Sequence, residues 1–352
     1  MGFLDSLYKR FSHDIGIDLG TANTLVYLQG QGIVIDEPSI VALNKKTGRV
    51  VAVGNEAKKM LGRNPGHIDV VRPLVDGVIS DFEVTEEMLR YLISKAERTG
   101  RKGFRFPPRV VVGVPSGITN VETRAVVDAS KSAGAREVFI VEEPMAAAIG
   151  IGLPVNDPVG SMVIDMGGGT TDIAVISLGG IVQSKNTKIA GDHLNRQIVN
   201  FIRNEFKILI GEKTAEEIKI GVSSVLPDEA LEMNIRGRDL VTGLPREIIV
   251  TDADIREALA ESIADLVDSV KEVLEITPPE IVSDVMKRGV FLTGGGALIR
   301  HLDTLISNEL GVPVYVSDDP LSAVARGAGM ILSDLHAYRQ VLVHEHDELP
   351  PR

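Results

Sequence analysis

The sequence predicts an α/β protein of two similar domains, each with a smaller inserted subdomain, facing one another across a cleft. Three observations carry this. Apolar runs of strand length alternate with amphipathic stretches of helical period along the chain. A unit of strand, aspartate, glycine bend and second strand occurs twice, at Ile15–Leu28 and Met162–Val175, about half a chain apart. The 352 residues are enough for two separate cores.

Composition narrows the classes. A hydrophobic fraction of 44% with 24% charged residues is that of a soluble globular chain. The net charge of -12 argues against a general nucleic-acid surface, and the absence of tryptophan against aromatic stacking platforms. Without cysteine there is no disulfide framework or thiolate metal site, which is compatible with a reducing cytoplasm. No apolar run approaches the roughly 18 residues of a spanning helix, and no secretory signal is visible.

In chain order, Met1–Phe11 comes first. Helical spacing puts Phe3, Leu4, Leu7, Tyr8 and Phe11 on one face, with Lys9 and Arg10 off it. Two readings fit: a helix lying in a membrane interface, or a leader helix packed on its own domain. Ile15–Leu28 is the first hairpin, with Asp18 before the bend Gly20-Thr21-Ala22-Asn23. Residues 32 to 76 read as short strands, either a small insertion or a continuation of the main sheet. Thr85 is expected to cap a helix to Arg98, with Met88, Leu89, Leu92, Ile93 and Ala96 as its apolar face.

Gly103–Pro108 sets Phe104 and Phe106 in a basic loop, to be read as a membrane contact if exposed or as core if buried. Arg109–Pro115 is a buried-type strand, residues 120–133 a helix closed by Gly134, and Glu137–Val141 a further strand. Pro144 suits a first helical turn, so Glu143 stands at a strand-to-helix junction. A carboxylate there either orients a water beside a phosphate or simply favours the positive helix end.

Met162–Val175 holds Asp165 and the bend Gly167-Gly168-Gly169-Thr170. Successive glycines let backbone N–H groups approach an anion closely, and the aspartate at the strand end is placed for the magnesium that travels with a nucleotide. Neither bend has a Walker lysine or opens into a helix, so P-loop and Rossmann readings fit poorly.

Residues 197–210 and 214–220 are predicted helices; on the second, Glu216 and Lys219 are spaced as an ordinary solvated i,i+3 pair. Residues 231–235 and 246–250 suggest strands of a second insertion, followed by a long amphipathic helix from Asp254 to Glu275. Gly289–Ile299 reads as strand, glycine turn and helix, bare enough at Gly294, Gly295, Gly296 and Ala297 for a flat ring to lie close. Gly327 and Gly329 within the helical run 321–335, and Ala146-Ala147-Ala148 behind Glu143, suggest two small-faced helices crossing between the domains as a hinge.

Taken together, Asp18–Thr24, Glu142–Ala148, Asp165–Asp172, Leu292–Ala297 and Ala325–Gly329 resemble the five nucleotide-site motifs of the actin, heat-shock chaperone and sugar kinase superfamily, in its order and spacing. Within it the chain is similar over nearly its whole length to the bacterial actins of rod-shaped cells.

The resemblance implies two actin-like, ribonuclease H-like domains. Domain I would span 1–157, with an insertion at about 45–77 and a C-terminal helix 327–352 packed back on it; domain II would span 158–326, with an insertion at about 194–257. It implies ATP/ADP and Mg2+ as cofactors. Asp18 and Asp165 would hold the metal through water, and Gly20 to Asn23 and Gly167 to Thr170 would wrap the phosphates. Glu143 would be the catalytic glutamate, with Thr170 positioning water or γ-phosphate.

Glu216, Glu217, Ile218 and Lys219 would border the adenosine, and Gly294 to Ala297 would close over the base. The implied activity is ATP hydrolysis coupled to a homopolymer of paired protofilaments. These would lie cytoplasmic, on the inner face of the membrane, held by Phe3, Leu4, Leu7 and Phe11 and by the Phe104/Phe106 loop, and would guide membrane proteins of the wall-elongation machinery. No nucleic acid is expected as a partner. A sugar kinase of the same superfamily is the alternative, expected to need a second polar pocket, and a chaperone ATPase is expected to carry a peptide-binding domain as well.

Overall fold

The structure, a computed structural model, describes residues 14–99, 106–227 and 230–343. Its frame is two sheets of the same plan. The first has the strand order Leu342–Val343, Glu137–Glu142, Arg109–Val114, Ile15–Leu19, Asn23–Leu28, Gly32–Pro38. The second has the order Gly180–Thr187, Thr171–Ser177, Ser161–Met166, Val290–Thr293, Val314–Val316. Each contains a three-stranded antiparallel meander whose first strand also pairs in parallel with a later one. Register sets Asp18 opposite Gly113 and Asp165 opposite Thr293, so the two acids occupy equivalent places. The repeat seen in the sequence is therefore a repeat of sheet topology, and the expectation of two similar α/β units is borne out.

Two three-stranded sheets and a two-stranded hairpin, Leu74–Val75 with Val78–Ile79, stand apart from this frame. Val41–Asn44 pairs with Val50–Val53 and Ile68–Val71, while Gly32–Pro38 continues the main sheet, so each of the two readings of this region holds for part of it. Glu232–Asp239 pairs with Ile208–Leu209 and Pro245–Thr251 in the second half.

Local chemistry explains most of the helix limits. Thr119 and Thr251 close capping boxes with Glu122 and Asp254 at the helices Asn120–Ser132 and Asp252–Glu275. The expected cap at Thr85 is instead at Asp81, whose Oδ1 accepts the Val84 N–H at 3.1 Å; Thr85 is buried one turn inside the helix Phe82–Thr99. The helix expected at 197–210 runs Gly191–Glu205 and stops because Lys207 takes φ 57°, after which Ile208–Leu209 pairs as a strand. The turn after Val290–Thr293 is one 3-10 turn, Gly295–Leu298, and not a longer helix.

The expected C-terminal helix also differs. It spans Ala323–Ser333, and Asp334 then accepts the Ala337 N–H at 3.1 Å, turning the chain back so that Leu342–Val343 joins the first sheet as a strand.

Apolar burial divides into a core for each half, a third cluster between them and a small fourth of Ile40, Ala42 and Ala57. This third core takes Val111 and Val141 from one sheet, Val163 and Ala174 from the other, and Ala146, Ala147, Ile149, Ala328 and Ile331 from two helices. Those helices, Glu143–Gly150 and Ala323–Ser333, are the small-faced pair expected to cross, and they do so at backbone contact. A Cβ at Gly327 would lie on the carbonyl oxygen of Ala146, and one at Gly150 on that of Ala323. No helix among the described residues is long and apolar enough to cross a membrane.

Candidate functional site

The two glycine bends are built on one principle: their carbonyls are tied back into the protein and their N–H groups are left over. In the first, fully buried Ser39 donates its hydroxyl to Gly20 O at 2.5 Å and its N–H to Ala22 O at 2.9 Å. In the second, Gly167 N–H closes the turn on Thr170 O at 2.9 Å. The start of the helix Gly191–Glu205 donates Gly191 N–H to Gly167 O at 3.1 Å and Asp192 N–H to Gly168 O at 2.8 Å. The N–H groups of Thr21, Ala22, Gly168 and Gly169 have no protein acceptor among the described residues. Unpaired donors of one sign, each costing about 1–3 kcal/mol if left dry, make a nest for an anion.

The bends also face each other. A Cβ on Gly168 would come 2.5 Å from Ala22 Cβ, and one on Gly169 2.8 Å from Thr21 Cβ. A third element closes on both. In the hairpin Leu74–Val75/Val78–Ile79, Asp76 and Gly77 take φ 50° and 82°, the turn that Asp-Gly favours. Gly77 N–H donates to Thr21 Oγ1 at 2.9 Å, and its α-carbon faces Thr170 so closely that a Cβ would lie 3.0 Å from Thr170 Cγ2.

Beneath this nest lies a cluster of carboxyls. Asp165 is 6% exposed and Asp172 1%, while Asp18 and Glu143 are half-buried. Burial, then Asp36, pushes Asp18 up to about 7. Burial holds Asp165 well above the usual range, aided by Asp18 and Asp172. Burial likewise holds Glu143 well up, aided by Asp172, Asp18 and Asp165. Asp172 rises to about 6 by burial, against bonds from Asn186 Nδ2 at 3.0 Å and Ser116 N–H at 2.7 Å.

The charges acting on Asp165 and Glu143 are all carboxylates, which is repulsion a cation would relieve. No three such side chains among the described residues form a cage for a metal. That donor set fits an ion that keeps most of its waters and takes others from phosphate, as Mg2+ does.

The flanks are more mixed. Lys219 Nζ donates to Gly191 O at 3.0 Å, beside the second bend, and burial lowers its pKa against the pull of Glu216, Asp192 and Glu212. Glu216 is half-buried on the same helix, Glu212–Val222. Glu217 instead turns outward beside Lys213, and Ile218 is fully buried in the second core, so their side chains leave the site. Gly294 lies against Asp165, where a Cβ would come 2.6 Å from Oδ1; Gly296 backs onto Met166, Ala297 is buried in the core, and Gly295 lies near Leu321. Asn23 points to Asp36, at 2.8 Å.

Several functional positions were missed in the sequence. Ser39 and Gly191 sit far along the chain from the bends they hold. The Asp76-Gly77 dipeptide, a strong turn signal, was the one findable clue. The N-terminal Phe3, Leu4, Leu7 and Phe11 and the loop residue Phe104 lie outside the described residues, and Phe106 is half-buried at the entrance to Arg109–Val114.

Comparison with known sequences and structures finds relatives over nearly the whole chain. A family model described as MreB/Mbl protein matches residues 12–340. The cell shape-determining protein Mbl of Bacillus subtilis (strain 168) is 52% identical over 326 residues, covering 92% of this chain and 97% of that protein. The cell shape-determining protein MreB of Escherichia coli (strain K12) is 51% identical over 333 residues, covering 93% and 95%. Among solved structures, MreB5 of Spiroplasma citri bound to ADP superposes with a TM-score of 0.87 at 40% identity, covering 92% of this chain and 97% of that one. A MamK double helical filament, with a TM-score of 0.78 at 24% identity and coverage of 91% and 98%, shares the fold.

Proposed function

The chain belongs to the MreB/Mbl family, and from that premise we propose that it is a bacterial actin that binds and hydrolyses ATP in the cleft and polymerises in step with it. The observation that carries this is the meeting of two donor-rich bends, Gly20 to Asn23 and Gly167 to Thr170, above the carboxyls of Asp18, Asp165 and Glu143. A triphosphate supplies the anion for the bends and brings the cation for the acids. A solved relative at 40% identity is bound to ADP, and another structure of that protein, at 39%, to AMPPNP.

In this reading, the free N–H groups of Thr21, Ala22, Gly168 and Gly169 hold the phosphate oxygens and spread their charge. Magnesium, when bound, would be held by Asp18 and Asp165 through water and would neutralise phosphate charge. Glu143, at the first turn of its helix, orients the water that attacks the γ-phosphorus, and the Thr170 hydroxyl aligns water or phosphate. Glu216 and Lys219 line one side of the adenosine and Gly294 to Ala297 the other. Catalysis is by positioning and charge, with ATP and water giving ADP and phosphate. We take the domains as 1–157 and 158–326, with insertions at about 45–77 and 194–257.

We propose further that the polymer is of paired protofilaments on the inner face of the membrane. There the N-terminal helix and the Phe104/Phe106 loop would make the contacts, and the polymer would direct the wall-elongation proteins that keep cells rod-shaped. Co-sedimentation with anionic lipid vesicles tests it. Pelleting should need ATP and Mg2+ and should be lost when Phe3 and Leu4 become Ser; soluble monomer at every concentration, nucleotide and lipid would refute the polymer.

A further inference from the structure

Outside the cleft, the second half has a cavity of about 290 Å³ along one face of the helix Asp252–Glu275. Arg256, Ala260, Ile263, Val267 and Lys271 follow one another at three- or four-residue steps, about 22 Å of helix. Ser223 and Leu305 face them from other elements.

We propose that this cavity binds a small uncharged molecule, an apolar body with one hydrogen-bonding group, and that its occupant alters nucleotide release.

Charge balance chooses the uncharged class. Arg256 Nη1 already donates to Asp252 Oδ2 at 2.9 Å and to Leu226 O at 3.2 Å, and Lys271 is paired with Glu309 at 2.7 Å. Asp268 is then the surplus charge of the lining, so an anion is repelled, and because Asp268 is exposed, solvent screens its pull on a cation. Between these ends the wall is Leu259, Ala260, Ile263, Ala264, Val267 and Leu305, which favours an apolar body. The hydrogen-bonding group has a partner waiting. Ser223, 2% exposed, forms part of the wall, and its hydroxyl is buried with no partner among the described residues.

Coupling follows from what the wall is made of. Ser223 directly follows the helix carrying Glu216 and Lys219, and its N–H donates to Lys219 O at 3.3 Å. Ser224 bridges Arg300, Val225 N–H donates to Arg300 O at 3.1 Å, and Arg300 Nη1 donates to Gly221 O at 3.1 Å. Arg300 lies two residues after the Gly295–Leu298 turn. The cavity wall is thus the brace joining the two elements that flank the adenosine in the proposed function. The coupling rests on that reading, whereas the binding does not.

The test uses biphenyl-4-methanol as probe and biphenyl-4-carboxylate as its charged counterpart, with methyl-labelled full-length protein. On nucleotide-free protein, the alcohol should shift the methyls of Leu259, Ile263 and Val267 saturably and bind at least tenfold more tightly than the carboxylate. Ala264→Leu, on the exposed side of the helix, should abolish those shifts with the remaining methyl spectrum unchanged; Ser223→Ala should weaken binding several-fold. Saturating alcohol should then change the release rate of a fluorescent ADP at least twofold in the wild type and not in Ala264→Leu. Absent shifts, equal binding of the carboxylate, or shifts that survive Ala264→Leu overturn the site. Shifts that grow with protein concentration and need no probe would mean that another copy of the chain fills it, and also overturn it. Binding with unchanged ADP release overturns the coupling alone, and no binding of the fluorescent ADP at all overturns the nucleotide reading instead.

Discussion

At the scale of single residues, the cleft is a place where like charges are held together against their own repulsion. In the proposed function Glu143 acts only by positioning water, so Glu143→Ala should slow phosphate release by about 10²–10³-fold and leave ATP affinity within about threefold; unchanged turnover would remove it from the reaction. The raised carboxyls also make a prediction about pH. A carboxyl whose folded pKa exceeds its unfolded value binds its proton more tightly when folded, so its contribution is full below about 4 and is lost as pH rises through the folded value. With Asp172 near 6 and Asp18 near 7, nucleotide-free protein should lose melting temperature between pH 5 and pH 8. Mg2+ with ADP should restore it, and Asp172→Asn should flatten the slope. A melting temperature that rises over this range would contradict the cluster.

At the scale of elements, the crossing of Glu143–Gly150 with Ala323–Ser333 is the most exacting contact in the fold. A methyl at Gly327 meets backbone, the Ala146 carbonyl, which cannot rotate aside as a side chain would. Gly327→Ala should therefore cost at least the upper end of the 1–3 kcal/mol typical of overpacking, about 3 kcal/mol or more, in urea unfolding. Gly66→Ala, at an open position outside the left-handed region, should change stability by less than about 0.5 kcal/mol. Equal costs at both sites would mean the helices can move apart freely. Elements were also where sequence reading was weakest. The helix Gly191–Glu205 begins six residues before the periodicity suggested, because its first N–H groups are used on Gly167 and Gly168. Ile218 was legible as apolar but not as core, since helical spacing beside Glu216 and Lys219 does not say which face the second core covers.

At the scale of the molecule, the halves meet at the crossing helices and again at the cleft mouth. Arg72 reaches Glu212 at 2.7 Å and Asp192 at 3.4 Å, and Lys188 reaches Asp76 at 3.1 Å. These pairs contribute Arg72, Asp76, Asp192 and Glu212 to the lining of a cavity of about 210 Å³ that Thr21 also lines. They are partly solvated, so each is worth about 0.2–1 kcal/mol and weakens with salt. Arg72→Ala should therefore speed ADP release by about two- to fivefold, with less effect at 0.5 M salt, as followed by fluorescent-nucleotide chase. No change at low salt would mean that the mouth does not limit release.

What the chain alone determined was the repeat, the identity of the acids and bends, and the small faces of the two crossing helices. These are local: an aspartate before a run of glycines, or alanines at one face, needs no distant partner to be read. What only the tertiary structure decided was everything held by contacts between remote segments. Ser39 bonding Gly20, Gly77 bonding Thr21, and Asp172 acting on Glu143 are pairs separated by 19, 56 and 29 residues, and hydrophobic period carries no information about such distances. The donor surplus of the bends was likewise invisible, because it exists only once other segments have claimed the carbonyls.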